Sequence, residues 1–168
     1  MTQTSSPKVA MLVANGFDEI AFTTVQKLIL KQGGVTQVIS SETAMANGWA
    51  GNAWGCFYPV DAQLNTILAY DFDALVVPGD KRSMERLSKT AHTKRIIDGF
   101  IASGKPVLLT GGMDIYTDTI LSEDASVETV YVSEADNTES FQTATVNFLA
   151  SLFKESDTTD EDNARKAA

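Results

Sequence analysis

The stretch Gly104-Lys105-Pro106-Val107-Leu108-Leu109-Thr110-Gly111-Gly112-Met113-Asp114 restricts the possible folds more than any other. Its apolar run, Pro106 to Thr110, has Gly104 before it and Gly111-Gly112 after it. That pattern reads as a buried central strand breaking into a turn, with a helix starting at Asp114. In an open α/β sheet, chemistry sits just beyond the carboxyl ends of the strands. A sharp strand-to-helix turn there is where a nucleophile is displayed. Here the apex carries two glycines and no nucleophile.

The flanking chain fits such a sheet. Val9 to Ala14 is an apolar strand closed by Asn15-Gly16. A helix follows from about Asp18 to Lys31, with Phe22, Val25, Leu28 and Ile29 on one face and Gly33-Gly34 as its stop. Val35 to Ser40 completes a βαβ unit, which implies parallel pairing and a right-handed crossover. Glu42 to Pro59 breaks the pattern: Asn47-Gly48 signals a hairpin turn among the aromatics Trp49, Trp54, Phe57 and Tyr58. Val60 to Tyr70 reads as a strand end and a helical turn around Leu64, Ile67 and Leu68. Ala74 to Val77 is a further core strand, ending in Pro78-Gly79-Asp80. Helices are expected over Ser83–Ser88, His92–Ala102 and Met113–Ser122, and a strand over Val127–Val132. Asp136 and Glu139 fit a capping box for the last helix, which runs to about Lys154 with Phe141, Thr145, Phe148, Leu149 and Leu152 on one face. The alternation predicts one doubly wound α/β domain over residues 8–154, between a flexible N-terminus (1–7) and an acidic, disordered tail (155–168).

A hydrophobic content of 43% over 168 residues is enough for one sizeable core. A net charge of −9 argues against nucleic-acid and anionic-membrane partners, which favour basic patches. No apolar run is long enough to span a bilayer, and Met1 to Lys8 lacks the apolar core of a secretory signal. Cys56 is the only cysteine, which rules out an internal disulfide or a CxxC metal site. A cytoplasmic location is expected.

Taken together and in order, several segments resemble the DJ-1/ThiJ/PfpI superfamily, within the class I glutamine-amidotransferase-like fold. They are Val9-Ala-Met-Leu-Val-Ala-Asn-Gly-Phe-Asp-Glu-Ile20, Asp71-Phe-Asp-Ala-Leu-Val-Val-Pro-Gly79 and Gly104-Lys-Pro-Val107, with the excursion ending near Val60-Asp61 and the helix Ser140 to Phe153. The resemblance implies a flavodoxin-like three-layer sandwich with a mostly parallel central sheet, commonly dimeric. It also implies an elbow cysteine nucleophile hydrogen-bonded by a glutamate from the first strand-helix turn. Counted from Lys105, the cysteine position is Gly111, followed by Gly112. The glutamate position is Ala21, and the second glycine of the family's Pro-Gly-Gly loop is Asp80. The chain is also short between the elbow and the last helix.

Cysteine catalysis needs a thiolate, and Gly111 supplies no side chain. Family proteolysis, deglycation, glyoxalase or isonitrile-hydratase chemistry is therefore not expected. Cys56 reads as a small hydrophobe among aromatics, without a basic partner, and His92 as a solvated helix-start residue. The candidate pocket is the set of strand-end groups Asn15, Asp18, Glu19, Gly79, Asp80, Thr110, Gly111, Gly112 and Asp114. Capping explains Asp18, Asp114 and Asp136 equally well. The sharper reading is a remodelled pocket in which backbone N–H groups, Lys81 and Arg82 hold an anion. No cofactor is implied, since GxxxxGK[ST] and GxGxxG are both missing, and no metal set stands out.

The leading expectation is a non-catalytic protein, homodimeric through the aromatic hairpin or the first helix, that binds a small molecule or a protein partner at the former active-site edge. One alternative is an enzyme (hydrolase, amidotransferase-like or glyoxalase-like) using Asp18, Glu19, Asp80 or Asp114 as acid–base groups. The other is a purely structural dimeric scaffold.

Overall fold

The computed structural model describes residues 6–116 and 127–166, with side chains over 6–116 and 128–153. In chain order the elements are β1 Lys8–Val13, β2 Phe17–Asp18, α1 Glu19–Lys31, β3 Val35–Ser40, β4 Met45–Trp49, β5 Trp54–Pro59 and β6 Ala62–Gln63. They continue with β7 Ala74–Pro78, α2 Lys81–Ser88, α3 Ala91–Ala102, β8 Val107–Thr110, β9 Val130–Val132 and α4 Thr138–Lys166. Six strands form a parallel sheet in the order β6-β3-β1-β7-β8-β9. The chain steps outward from β1 on one side and from β7 on the other, so the order reverses between them. That reversal opens a crevice at the carboxyl edge.

Helices cover both faces of this sheet. Ala10, Leu12, Leu75, Val77, Val107 and Leu109 point to the α2–α3 side, where Leu87, Ile96, Ile97 and Phe100 meet them. Val9, Met11, Val13, Val76 and Leu108 point to the α1–α4 side, against Phe22, Val25, Ile29, Phe148 and Leu149. A strand buried on both faces is apolar at every position rather than alternating. Val9 to Ala14 follows that rule, each residue 0–1% exposed. Burying each large aliphatic side chain there stabilises the fold by about 1.5–3 kcal/mol. The arrangement is the flavodoxin-like three-layer sandwich.

The structure departs from the sequence reading at four places. First, β8 is not central but lies one strand in from the β9 edge. Second, the hairpin does not turn at Asn47-Gly48. Both residues lie inside β4, and the turn is closed by Ala50, whose N–H donates to the Ala53 carbonyl at 2.8 Å. Gly48 and Gly55 are small for a packing reason. A Cβ at Gly48 would sit 2.9 Å from the Glu19 Cβ, and one at Gly55 would overlap the Glu19 carboxylate. Third, among the described residues the chain after the elbow starts with a 3-10 turn, Met113–Ile115, rather than an α-helix. The rest of the helix expected to Ser122 lies outside the described residues. Fourth, Asp136 does not cap α4. It has φ 56°, and Asn137 caps instead, its Oδ1 accepting from the Ser140 N–H at 3.0 Å. The helical backbone of α4 continues to Lys166, through most of the segment read as a tail.

Candidate functional site

The elbow is built by backbone. Gly111 and Gly112 follow β8 with φ 97° and 95°, conformations that L side chains avoid. Gly112 N–H donates to the Ser133 carbonyl at 2.9 Å, which ties the turn to the chain after β9. Beneath it lies Tyr116, completely buried. Its hydroxyl bonds the Thr110 carbonyl and stands 3.1 Å from the Val77 carbonyl, pinning the ends of β8 and β7 together. Burial pushes the phenol far above its ordinary pKa, so it stays a donor. The same hydroxyl and Met84 fill the space behind Gly79.

Gly111 leaves no room for a side chain. A Cβ built there would lie 2.6 Å from the Gly79 carbonyl oxygen and 3.3 Å from its carbon. Both are backbone atoms, so no rotamer change makes room. The carbonyl of the loop after β7 occupies the place where a side chain at Gly111 would begin.

Above the elbow opens a cleft of about 590 Å³. Its described lining includes Asp18, Ala21, Trp49, Asp80, Thr110, Gly111, Ser133, Glu134, Asp136 and Phe141. Asp18 N-caps α1, accepting the Ala21 N–H at 3.1 Å. Burial raises its pKa most, the Ala21 bond opposes, and the charges of Asp80 and Asp136 add to the rise. Asp80 caps α2: it accepts the Arg82 N–H at 3.3 Å, while its own N–H donates to Ser83 Oγ at 3.0 Å. Thr110 is buried, with Oγ1 3.5 Å from the Val77 carbonyl.

Of the residues singled out from sequence, Asp18, Asp80, Thr110 and Gly111 meet in this cleft. Glu19 turns away, accepting the Tyr58 hydroxyl at 2.8 Å and the Cys56 N–H at 3.2 Å. Asn15 lines a neighbouring cleft and accepts the Asn47 N–H at 2.8 Å. Gly79 lies behind the strand ends, Gly112 packs toward Ala135, and Asp114 is exposed on its turn. The anion arrangement expected for the elbow is not there. Arg82 lies 3.8 Å over the Trp49 ring and 3.8 Å from Asp80, and the described lining holds acidic groups with no lysine or arginine. Ser133 and Glu134 were missed, although the strand-end rule applied to β9 reaches them. Trp49 was legible only as one aromatic of the hairpin.

Cys56 is exposed on β5, not packed as a small hydrophobe. A hydrogen bond to Glu19, and that carboxylate's charge, raise the pKa of its thiol. Among the described residues no group of three or more His, Cys, Asp or Glu could hold a metal ion. Nor is any described helix long and apolar enough to cross a membrane.

Comparison with known proteins agrees with this architecture. No curated protein matches the chain in sequence. Among solved structures, a ThiJ/PfpI domain protein from Brachyspira murdochii superposes with a TM-score of 0.69 at 19% identity, over 88% of this chain and 99% of that one. A DJ-1 superfamily protein from Salmonella typhimurium, solved as a cysteine-to-alanine mutant, gives 0.68 at 15%, over 88% and 91%. Oxidized DJ-1 from Toxoplasma gondii gives 0.67 at 15%, over 92% and 95%. At such identities the likeness speaks for the fold. The sequence model of the DJ-1/PfpI family matches residues 7–112, more than half of the chain and ending at the elbow. The chain therefore belongs to the DJ-1/PfpI family, and its single cysteine, Cys56, lies on the hairpin.

Proposed function

We propose that this protein is a non-catalytic, cytoplasmic member of its family whose elbow cleft binds a small molecule bearing a positive charge. The observation that carries the reading is the approach of the Gly79 carbonyl to Gly111, which leaves no room for an elbow nucleophile. The acidic lining supplies the charge preference. Asp18 is held half-buried beside Asp80 and Asp136, and an ammonium group entering the cleft relieves that repulsion. Trp49 and Phe141 give the ligand apolar surface. The one exposed thiol suits a reducing compartment.

The test is a thermal-shift screen of small primary amines. A ligand that binds only the folded state at 100 times its Kd adds about 2.7 kcal/mol. Asn replaces Asp as a helix cap with little loss, so Asp18→Asn and Asp80→Asn remove charge while keeping the caps. Amine-induced shifts that vanish in these variants support the reading. Shifts that persist in both, or no shift with any amine, contradict it.

The raised pKa of Asp18 is the one observation favouring the acid–base enzyme reading. That reading requires hydrolase, amidotransferase-like or glyoxalase-like turnover that Asp18→Asn abolishes.

We also infer self-association through the outer face of the hairpin. Met45 and Phe57 share that face with Pro59 and are 46% and 62% exposed. A second copy docked there would cover exposed apolar surface.

A further inference from the structure

We propose a second ligand site, beside the elbow cleft, that takes a small organic oxyanion carrying a planar ring. A cleft of about 520 Å³ lies at the carboxyl edge of the sheet, between α2 and the hairpin. Asn15 and Ser41, the residues just beyond β1 and β3, contribute to its lining, so it occupies the edge where α/β sheets place ligands. Arg82, Arg86 and Lys89 also line it. Their spacing of four and three residues puts all three on one side of α2 and its C-cap. The opposite side, Ser83, Met84 and Leu87, is buried. Trp54 supplies an aromatic surface that is 54% exposed.

The charges decide the ligand. The chain carries a net −9, so an anion is repelled from most of its surface and drawn only where cations gather. Two carboxylates also line the cleft, Glu42 and Glu85. Glu42 is already occupied: its Oε1 lies 3.3 Å from Arg86 and accepts the Asn15 N–H at 3.3 Å. Among the described residues, the Arg82 guanidinium is held by the Trp49 ring and by Asp80 at 3.8 Å, an exposed pair of small worth. Lys89 has no ion-pair partner among the described residues. Guanidinium forks suit a phosphate or carboxylate, and the face of an indole suits a ring. Of the two cations expected to serve the elbow, Lys81 and Arg82, Arg82 lines this adjoining cleft instead, and it joins the two clefts by reaching Asp80 and Trp49 of the first.

The test is calorimetric titration of the full chain with phenyl phosphate and with inorganic phosphate. Saturable binding of phenyl phosphate is expected, about tenfold tighter than inorganic phosphate because only the former has a ring to stack. Arg86→Ala combined with Lys89→Ala weakens phenyl phosphate about tenfold or more by removing charge-assisted bonds. Trp54→Ala leaves the two probes equal in affinity. Lys89→Glu alone, at a solvent-facing cap position, provides a variant with no packing to lose and weakens both probes. No saturation up to about 10 mM, or unchanged affinity in the charge variants, overturns the site. Equal affinity of the two probes for the wild type overturns its preference for a ring.

Discussion

Gly111 has two reasons to be glycine, and they act together. Its φ of 97° is strained for any L residue, and its Cβ would collide with the Gly79 carbonyl. Strain of about 1–3 kcal/mol adds to overpacking of similar size, so Gly111→Cys is expected to lose about 2–6 kcal/mol in urea denaturation without gaining a reactive elbow thiol. Full stability with rapid alkylation of the new cysteine would show that the elbow is open after all. Asp18 makes a prediction of opposite sign. Its folded pKa is raised, so the native state holds a proton that the unfolded chain gives up sooner. Stability is therefore lost as pH rises from the unfolded pKa through the folded one, and the penalty is complete above the folded pKa. Asp18→Asn should melt above the wild type at pH 7, the gap closing as pH falls toward the ordinary carboxylate range. A gap that widens on acidification would reverse the assignment. At the hairpin, a hydrogen bond to Glu19 and its charge raise the pKa of the Cys56 thiol. Glu19→Gln should speed its alkylation by iodoacetamide at pH 8, because the thiolate is the reacting form.

The elements holding the site were unevenly legible. Continuous apolar runs gave β1, β7 and β8, because a doubly covered strand has no polar face to disguise it. Helices α1 and α3 came from their spacing and stops. The hairpin was found, but its turn was misplaced. A glycine inside a strand looks like a turn glycine unless the side chain lying over it is known, and Glu19 is 29 residues away from Gly48 in the chain. The capping residue of α4 was missed by one position because Asp136 adopts a left-handed conformation, which no local pattern announced. Tyr116 escaped notice altogether, since a tyrosine after an elbow carries no sign that it will fold back beneath it. Its tether is nonetheless a strong feature of this edge. Tyr116→Phe should destabilise by about 1–3 kcal/mol, since it strips a buried carbonyl of its donor. An unchanged denaturation midpoint would mean the strand ends need no such pin.

At the scale of the whole molecule, the sheet reversal between β1 and β7 places two clefts along one edge, with the Arg82–Asp80–Trp49 contact between them. Sequence marked this edge through the strand-end rule and marked the elbow as lacking a nucleophile. It did not give the sign of charge in either cleft, because that depends on which way Arg82 and Glu19 turn. Self-association belongs to this scale as well: Phe57→Asp should convert a dimer to a monomer in light scattering, whereas an unchanged mass would remove the hairpin from the interface. The measurement that bears most directly on the central claim is calorimetric titration of benzylamine into the wild type and into Asp18→Asn/Asp80→Asn, with the amine recovered afterwards. A non-catalytic acidic cleft predicts saturable binding to the wild type, loss of about tenfold or more in the variant, and unaltered benzylamine. Binding indifferent to both carboxylates, or amine converted to product, would contradict it.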